Sequence, residues 1–588
     1  MLAAIGYEDM GVVEEFKTGS SLVGATEITG LWPKKFTPSS LTTSDLHAMA
    51  SEQRKTISYK QVVFFEEDIA RAVWQQTMDE VAKGEIEGPF ELGDVPSHYP
   101  LSKRFGVRQG GKIRCVDDFS GSGANAAVQS SESPRPHTLD VVGGMVMAAM
   151  AQLRQETPWV ARSFDLKIAY RQCAVRPDSQ PFAYIVVGDP TSKSLRAFRM
   201  KALPFGSVKS VHSFLRVAHS IWAILTSMFL IFNTNYFDDF VVVADRLEAS
   251  GVEHTIKATF RMLGWLFAED GAKAPPFQPT VSALGVTIDV SDMHRGQVTV
   301  DNTEKRINEL SQTISQILDN GKLQKLEALR LRGRMQFAAG QIFGRIARRC
   351  LGLVTQHAYA ADSPLLSDAA TASLRRFLSL LSLKIPRTLS LQCDATWFLF
   401  TDASFDPNEG TPIAGVGAVL VDSDGRKQRF FSEQIPGEIL KELNVSERDK
   451  LIFECEFLSI FLAMLVWKDI LKQCKVVIHT DNDAVRDCFI SCHSSSVNVT
   501  PILEACINLE FEMAWNAWIT RVPTESNVAD DPSRFQVQQL LTEGCKLDVV
   551  DISACWACLI GMVKRGGERP ARPTPLEKGT PAMRGSSG

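Results

Sequence analysis

Apolar positions recur along this chain at two spacings, and the switches between them divide it. Ile69, Val73, Met78 and Val81 share a helical face within residues 66–83, with acids early, a Lys late and Gly84 as a stop. Val208, Val211, Leu215, Ala218, Trp222 and Leu225 form a second helical stripe, opened by the break Leu203-Pro204-Phe205-Gly206. Between these helices lie strand patterns: two arms around Gly110-Gly111, a β-type start ending at Asp165, and arms 182–187 and 195–201 around Gly188-Asp189-Pro190. The apolar runs 228–232 and 240–244, joined by a polar break, predict a further hairpin. Residues 252–263 read as a helix, 282–289 as a strand and 303–357 as strongly helical. The Ser/Thr-rich stretch 1–60 is weakly periodic and predicts little.

Near Pro386 the grammar changes. Arms 396–400, 415–422 and 427–433 precede a helix at 452–471, a strand at 475–479, a short helix from Asp483, a helix at 502–515 and a strand at 517–522. That order predicts a mixed sheet covered by helices, over residues 395–535, large enough for its own core. Order fades after Gln536, and the Pro/Gly/Ser-rich residues 566–588 are expected to be unstructured.

Composition adds bounds. The 588 residues suggest three to five domains or subdomains at about 100–200 residues each. A charge of −5 does not announce a nucleic-acid binder, so any such function must rest on local basic stripes. The apolar runs 221–232 and 457–467 fall short of the ~20 residues of a membrane span, and the start lacks the basic region of a signal peptide. The expectation is an intracellular protein, cytoplasmic or nuclear, with no membrane partner. The twelve Cys are scattered, and Cys555 and Cys558 have no second pair at zinc-ribbon spacing.

Local chemistry is sharper. Asp238 and Asp239 lie in an apolar hairpin, where acids are costly unless something positive compensates them. Mg²⁺ does so with one or two carboxylates plus phosphate oxygens, and an ordinary Asp-Asp turn is the alternative. Arg108, Lys112 and Arg114 load the Gly110-Gly111 hairpin with positive charge, either as a phosphate clamp or as a solvated edge. Six arginines and no acid lie between positions 330 and 349. Arg330, Arg334, Arg345 and Arg349 would share roughly one helical face, fit either for a phosphate backbone or for solvent.

Taken in order, these motifs resemble the reverse transcriptase family, particularly that of long-terminal-repeat and DIRS-type retroelements. Asp165 in Phe-Asp-Leu-Lys-Ile-Ala-Tyr matches the family's first catalytic motif, and Tyr236-Phe237-Asp238-Asp239 its Tyr-x-Asp-Asp box. Leu203-Pro-Phe-Gly matches the loop between them, Lys112-Ile-Arg-Cys-Val-Asp the fingers strand, and Leu284-Gly285-Val-Thr-Ile-Asp the primer-gripping strand. The likeness spans roughly residues 66–355. A second set, in 396–535, resembles ribonuclease H: Thr401-Asp402-Ala-Ser, Glu456 in its helix, Thr480-Asp481-Asn, and Asn527-Val-Ala-Asp530-Asp-Pro-Ser-Arg, with Asp530 rather than Asp531 in register. Many relatives carry a His just before the Val-Pro of the last segment, where this chain reads Thr520-Arg521.

The resemblance implies an α+β multidomain chain. Its expected parts are an N-terminal segment (1–60), fingers and palm (61–290), a helical thumb or connection (291–390), a ribonuclease H-like domain (391–540) and a partly disordered tail (541–588). It implies catalytic and metal-holding roles for Asp165, Asp238, Asp239, Asp402, Glu456, Asp481 and Asp530, with two Mg²⁺ or Mn²⁺ ions per active site. Arg108, Lys112, Arg114, Tyr170, Phe205, Gly206 and Lys273 would bind the deoxynucleoside triphosphate, with the Tyr170 ring excluding a ribose 2′-hydroxyl. Leu284, Gly285 and the four arginines would contact nucleic acid. RNA template, DNA primer and RNA–DNA hybrid are the implied partners, in retrotransposon replication. A domesticated or fragmentary retroelement protein that binds nucleic acid without full catalysis is the alternative, opposed by seven intact carboxylates.

Overall fold

The computed structural model describes residues 1–59, 62, 66–152, 157–360, 363–391, 396–407, 412–444 and 450–565. The expected unstructured stretch 566–588 lies outside them. The chain is a mixed α/β protein of two compact units, Met1–Leu284 with Asp289–Arg295, and Gly285–Ile288 with Gly296–Gly588.

In the first unit, helix α1 (Glu67–Ala82) precedes strand β1 (Ile86–Phe90) and the hairpin β2 (Ser102–Gln109) and β3 (Lys112–Asp118). Strand β4 (Trp159–Asp165), hairpin β5 (Tyr184–Asp189) and β6 (Ser194–Met200), helix α2 (Val208–Ser227), hairpin β7 (Asn233–Tyr236) and β8 (Asp239–Asp245), and helix α3 (Ala249–Met262) follow. A five-stranded sheet runs β1-β6-β5-β2-β3, and a three-stranded sheet runs β7-β8-β4. Gly110 and Gly111 both have positive φ (58° and 76°), as a two-residue turn matched to strand twist requires. Under that hairpin Arg104 is wholly buried, holding Asp117 at 2.6 Å and Glu80 at 2.7 Å. Arg171 completes the cluster at 3.3 Å from Glu80.

Three expectations change here. Residues 1–60 are built into the first unit. Buried Arg216 of α2 pairs with Asp9 at 2.6 Å and with Glu15, and the Thr29 hydroxyl donates to Glu132 at 2.7 Å. The first arm of the acidic hairpin is the polar run Asn233–Tyr236, not 228–232, which follows α2 and turns at Leu230 (φ 55°). Asn233 can be buried because its amide donates to Thr226 Oγ1 and to the Ile231 carbonyl. Residues 282–289 are not one strand, since Leu284 (φ 51°) and Gly285 (φ 75°) turn the chain between Thr280–Ala283 and Val286–Asp289.

The second unit opens with helices α4 (Glu304–Asn320), α5 (Lys325–Ala339), α6 (Ile346–Ala360) and α7 (Asp368–Leu383). Strands β9 (Thr396–Asp406), β10 (Ile413–Val421) and β11 (Lys427–Gln434) then lead to helix α8 (Ile452–Val466). After it come β12 (Lys475–Thr480), α9 (Asp483–Ser491), α10 (Val499–Glu512), β13 (Asn516–Arg521), β14 (Lys546–Leu547) and α11 (Ile552–Arg565). The six strands form one sheet, β13-β12-β9-β10-β11-β14. Apolar on every side, α8 lies buried in a single core that runs from Ile307 of α4 to Leu559 of α11. It stops at Val466, with only a separate turn Lys468–Leu471 of the longer helix the pattern suggests. Nor does order end at Gln536: β14 pairs with β11, and α11 packs on α10.

The Arg104 cluster yields a stability test. Arg104→Leu leaves the buried Glu80 and Asp117 with only Arg171, at 3.3 and 3.7 Å, and breaking a buried pair in this way typically destabilises by about 3–5 kcal/mol. Urea unfolding of parent and variant should show that loss in the first unit, and a change below about 1 kcal/mol would contradict the role given to Arg104.

Candidate active sites

The first centre is made by strand register. β4 and β8 are antiparallel, with Phe240 opposite Phe164 and Asp239 directly opposite Asp165. Directly opposed residues share a face, with Cβ atoms about 4.5–5.5 Å apart, and like charges there repel. Asp238 lies in the turn of the β7–β8 hairpin after Phe237 (φ 53°), and its carbonyl accepts the Leu166 N–H at 3.0 Å. That bond ties the turn to the residue after Asp165. Burial pushes the Asp239 carboxyl up to about 6, with Asp238 and Asp165 adding to it. Burial likewise raises Asp238, with Asp165 adding and Lys273 opposing.

Lys273 supplies the only local cation that the described residues set against this group, its Nζ 2.6 and 2.8 Å from the two Asp165 oxygens. Tyr170 is buried, its ring 4.8 Å from both Phe205 and Phe214. Burial raises its hydroxyl above the ordinary range and the Asp238 charge adds to this. Phe205 is exposed; Gly206 sits at φ 100°, where a Cβ would lie 2.1 Å from the Asp117 carbonyl. Only glycine fits that approach of loop to hairpin.

The basic hairpin is divided. Arg108 pairs with Ile113 across the ladder, whereas Lys112 pairs with Gln109 and Arg114 with Val107. Arg108 therefore lies on the opposite face from the other two, where Glu66 and Asp68 hold it. Lys112 and Arg114 remain exposed together. A three-residue clamp is thus not what the register makes.

The four arginines divide as well. Arg330 and Arg334 are exposed on α5, but that helix ends at Ala339, and Gly344 (φ 73°) intervenes before α6. Arg349 is buried, while Arg345 donates to the Ala517 carbonyl at 2.7 Å and lies 3.5 Å from Glu510. One continuous helical face does not exist. Arg334 instead borders a cleft of about 560 Å³ with Gly285, Lys305 and Arg306, the last lying 3.8 Å over the Phe337 ring. Leu284 takes the turn position beside Gly285.

The second centre draws on a central strand, a helix and two segment ends. Asp402 of β9 is buried, accepting the Ser533 hydroxyl at 2.6 Å and the Asn527 amide at 3.4 Å. Glu456 of α8 is buried, accepting Asn482 at 3.1 Å and Thr480 at 3.4 Å. Asp481 follows β12 and accepts the Thr524 hydroxyl at 2.8 Å. Asp530 opens a short helix and holds Arg534 through contacts of 3.0 to 3.2 Å. Burial pushes Asp402 up to about 7, with Asp481 and Asp530 adding, and Glu456 up to about 8, with Asp481 and Asp402 adding. The four acids thus feel one another's charge, while Asp531 is exposed.

Sequence reasoning gave no role to Ser533, Asn482, Asn527 or Thr524, the donors that orient these acids. Gly415 and Gly417 were missed too: a Cβ at either would meet the Ser533 backbone, at 2.1 and 2.4 Å. Their signal was two glycines at alternate positions inside a strand pattern, which marks a close backbone approach. At the position where a His would stand, exposed Arg521 lies 3.3 Å from Asp483.

Both centres offer oxygen donors only, the set that suits hard divalent cations, and in the first Lys273 stands where positive charge is needed. Among the described residues no three carboxylate, His or Cys side chains are gathered tightly enough to hold an ion as they stand. Asp165, Asp402, Glu456, Asp481 and Asp530 are each turned toward a protein donor. Among the described residues no helix is long and apolar enough to cross a membrane, and Cys555 and Cys558 are unbridged.

No family model and no curated protein matches the chain. Among solved structures it is similar to the foamy viral protease-reverse transcriptase dRH in complex with double-stranded DNA, at 12% identity and a TM-score of 0.45, covering 88% of this chain and 80% of that one. It is also similar to the foamy viral protease-reverse transcriptase with double-stranded DNA (12%, TM-score 0.44, 87% and 92%) and with RNA/DNA hybrid (11%, TM-score 0.44, 90% and 63%).

The raised acids of the second centre fix a pH dependence. Their ordinary values are 3.8 and 4.5, so above about pH 4 the unfolded chain ionises while folded Asp402 and Glu456 keep their protons. Folding then takes up protons, and metal-free stability falls as pH rises toward 8. In a chelator, Asp402→Asn with Glu456→Gln should flatten that fall between pH 5 and pH 8. Parallel melting profiles for parent and variant would contradict the raised values.

Proposed function

We propose that this chain is an RNA-directed DNA polymerase whose second unit cleaves the RNA strand of RNA–DNA hybrids. The direct opposition of Asp165 and Asp239, within Phe-Asp-Leu-Lys and Tyr-Phe-Asp-Asp, carries the reading. On this reading the five-stranded sheet with α1 forms the fingers, the three-stranded sheet with α2 and α3 the palm, helices α4 to α7 the thumb and connection, and the β9–β13 region a ribonuclease H-like domain.

Asp165, Asp238 and Asp239 would hold divalent ions in one centre, and Asp402, Glu456, Asp481 and Asp530 in the other. When bound, such ions neutralise phosphate charge and activate the attacking oxygen. The chain's own groups do the positioning on which phosphoryl transfer chiefly depends. Lys112 and Arg114 would neutralise triphosphate oxygens from the hairpin, and Lys273 is free to leave Asp165 for a phosphate once that carboxylate is otherwise paired. The Tyr170 ring, fixed between Phe205 and Phe214, walls off the sugar 2′-position. In the nuclease centre the Ser533, Asn482 and Thr524 donors aim the acids before substrate arrives. A retroelement origin accords with the motif order, and retrotransposon replication is the role proposed.

Primer extension on RNA and DNA templates with Mg²⁺, beside a hybrid-cleavage assay, separates the two chemistries. Asp238→Asn should lose extension by a hundredfold or more and retain cleavage, and Asp481→Asn should do the reverse. Equal loss of both activities in either variant would dissociate neither centre and refute the assignment.

Tyr170→Val should raise ribonucleotide use, read as the ratio of kcat/KM for ribo- and deoxyribonucleotide. An increase of at least tenfold is expected. An unchanged ratio would leave Tyr170 a packing residue.

A further inference from the structure

One groove lined by described residues belongs to neither carboxylate centre. Inside the second unit, a cleft of about 1110 Å³ opens between helices α5 and α6 and the start of edge strand β13. Four arginines line it, Arg332, Arg345, Arg348 and Arg387, with Trp515 and Trp518. Arg332, Arg348 and Arg387 are exposed. The single acid among the lining residues, Glu510, is buried and set against Arg345 at 3.5 Å. The cleft therefore carries a net positive charge facing solvent.

Two observations point to an occupant. The Trp515 indole N–H is buried and without a hydrogen-bond partner among the described residues. A buried donor left unpaired costs roughly 1–3 kcal/mol, so an acceptor belongs there. Trp518 is 68% exposed on β13, a flat apolar platform that no protein group covers. Cationic groove and open indole together are what single-stranded nucleic acid uses, with phosphates on arginine and bases stacked on the ring. A duplex keeps its bases stacked inside and leaves the platform unused. The place also differs from the hydrolytic centre. Ala517 pairs with Val476, five residues before Asp481, or ~16 Å along β12 at ~3.3 Å per residue.

We propose that this groove binds single-stranded nucleic acid, without sequence preference, at a site separate from both carboxylate centres. The inference does not depend on either centre being catalytic. It is tested on the full-length protein in EDTA, so that no turnover enters, by anisotropy of a labelled oligo(dT) across a salt series. Arg332→Ala with Arg348→Ala removes two exposed cations, and should shallow the log–log salt slope by about 1.4, at ~0.7 per single-strand phosphate contact. Trp518→Ala should weaken binding roughly tenfold and Trp518→Phe should restore it, as stacking requires. Thermal melting shows that these exposed variants stay folded. Parental affinity and slope in all variants would overturn the proposal. So would an equal loss against a blunt DNA duplex, or displacement of the effect onto inorganic phosphate alone.

Discussion

Like charges set directly across an antiparallel ladder repel, yet the first unit is arranged so that Asp165 and Asp239 can take no other position. Phe164, Phe240, Val241 and Val242 fix the register by their burial on the two strands. A slip of one residue would break the Phe164–Phe240 pairing and force a ladder buried on both faces to repack. Packing thus determines where the acids stand, and the repulsion is carried as a cost. Asp238 adds a third carboxylate through the turn, and Lys273 offsets part of the charge. The second unit reaches the same condition by other means, with Asp402 on a central strand and Glu456 on a helix buried on all sides. In both, the acids are short of water and short of positive charge.

Much of this was legible because it is local. The Gly110-Gly111 hairpin, α1, α2 and the strands from 413 to 521 follow from period and turn chemistry, within a few residues of their ends, whereas β9 runs on to Asp406, past the expected end at 400. The first arm of the acidic hairpin was not, because composition and burial part company there. Asn233, Thr234 and Asn235 are polar and buried, and part of what holds them is distant in sequence: His137 N–H donates to the Asn235 carbonyl at 2.9 Å. Residues 228–232 look like a strand and are the turn that follows a helix. The first 60 residues show no period, but Arg216 on an apolar helix face demanded acidic partners, which Asp9 and Glu15 provide.

The arginine-rich stretch fails for a different reason. Four- and eleven-residue steps share a face only on an unbroken helix, and Gly340 to Arg345 interrupt it. Past the break the same residue type does opposite work. Arg334 faces a cleft, whereas Arg349 is internal and Arg345 caps the edge strand through the Ala517 carbonyl. Charge on a sequence says that a partner exists, not whether the partner is solvent, phosphate or the protein itself.

The internal partners of the two centres differ in how firmly they hold, and this bears on what each centre can accept. Arg104 is locked in a buried cluster and cannot exchange without unfolding cost. Lys273 is 72% exposed, and Arg534, which holds Asp530, is 57% exposed. Exposed pairs of that kind contribute about 0–1 kcal/mol, so a stronger cation displaces them at little cost. Gly415 and Gly417 let the 530–533 turn lie against β10, which fixes Ser533 on Asp402 while leaving Asp530 at the surface. Each centre therefore combines acids fixed by the fold with one acid held by a weak, replaceable cation.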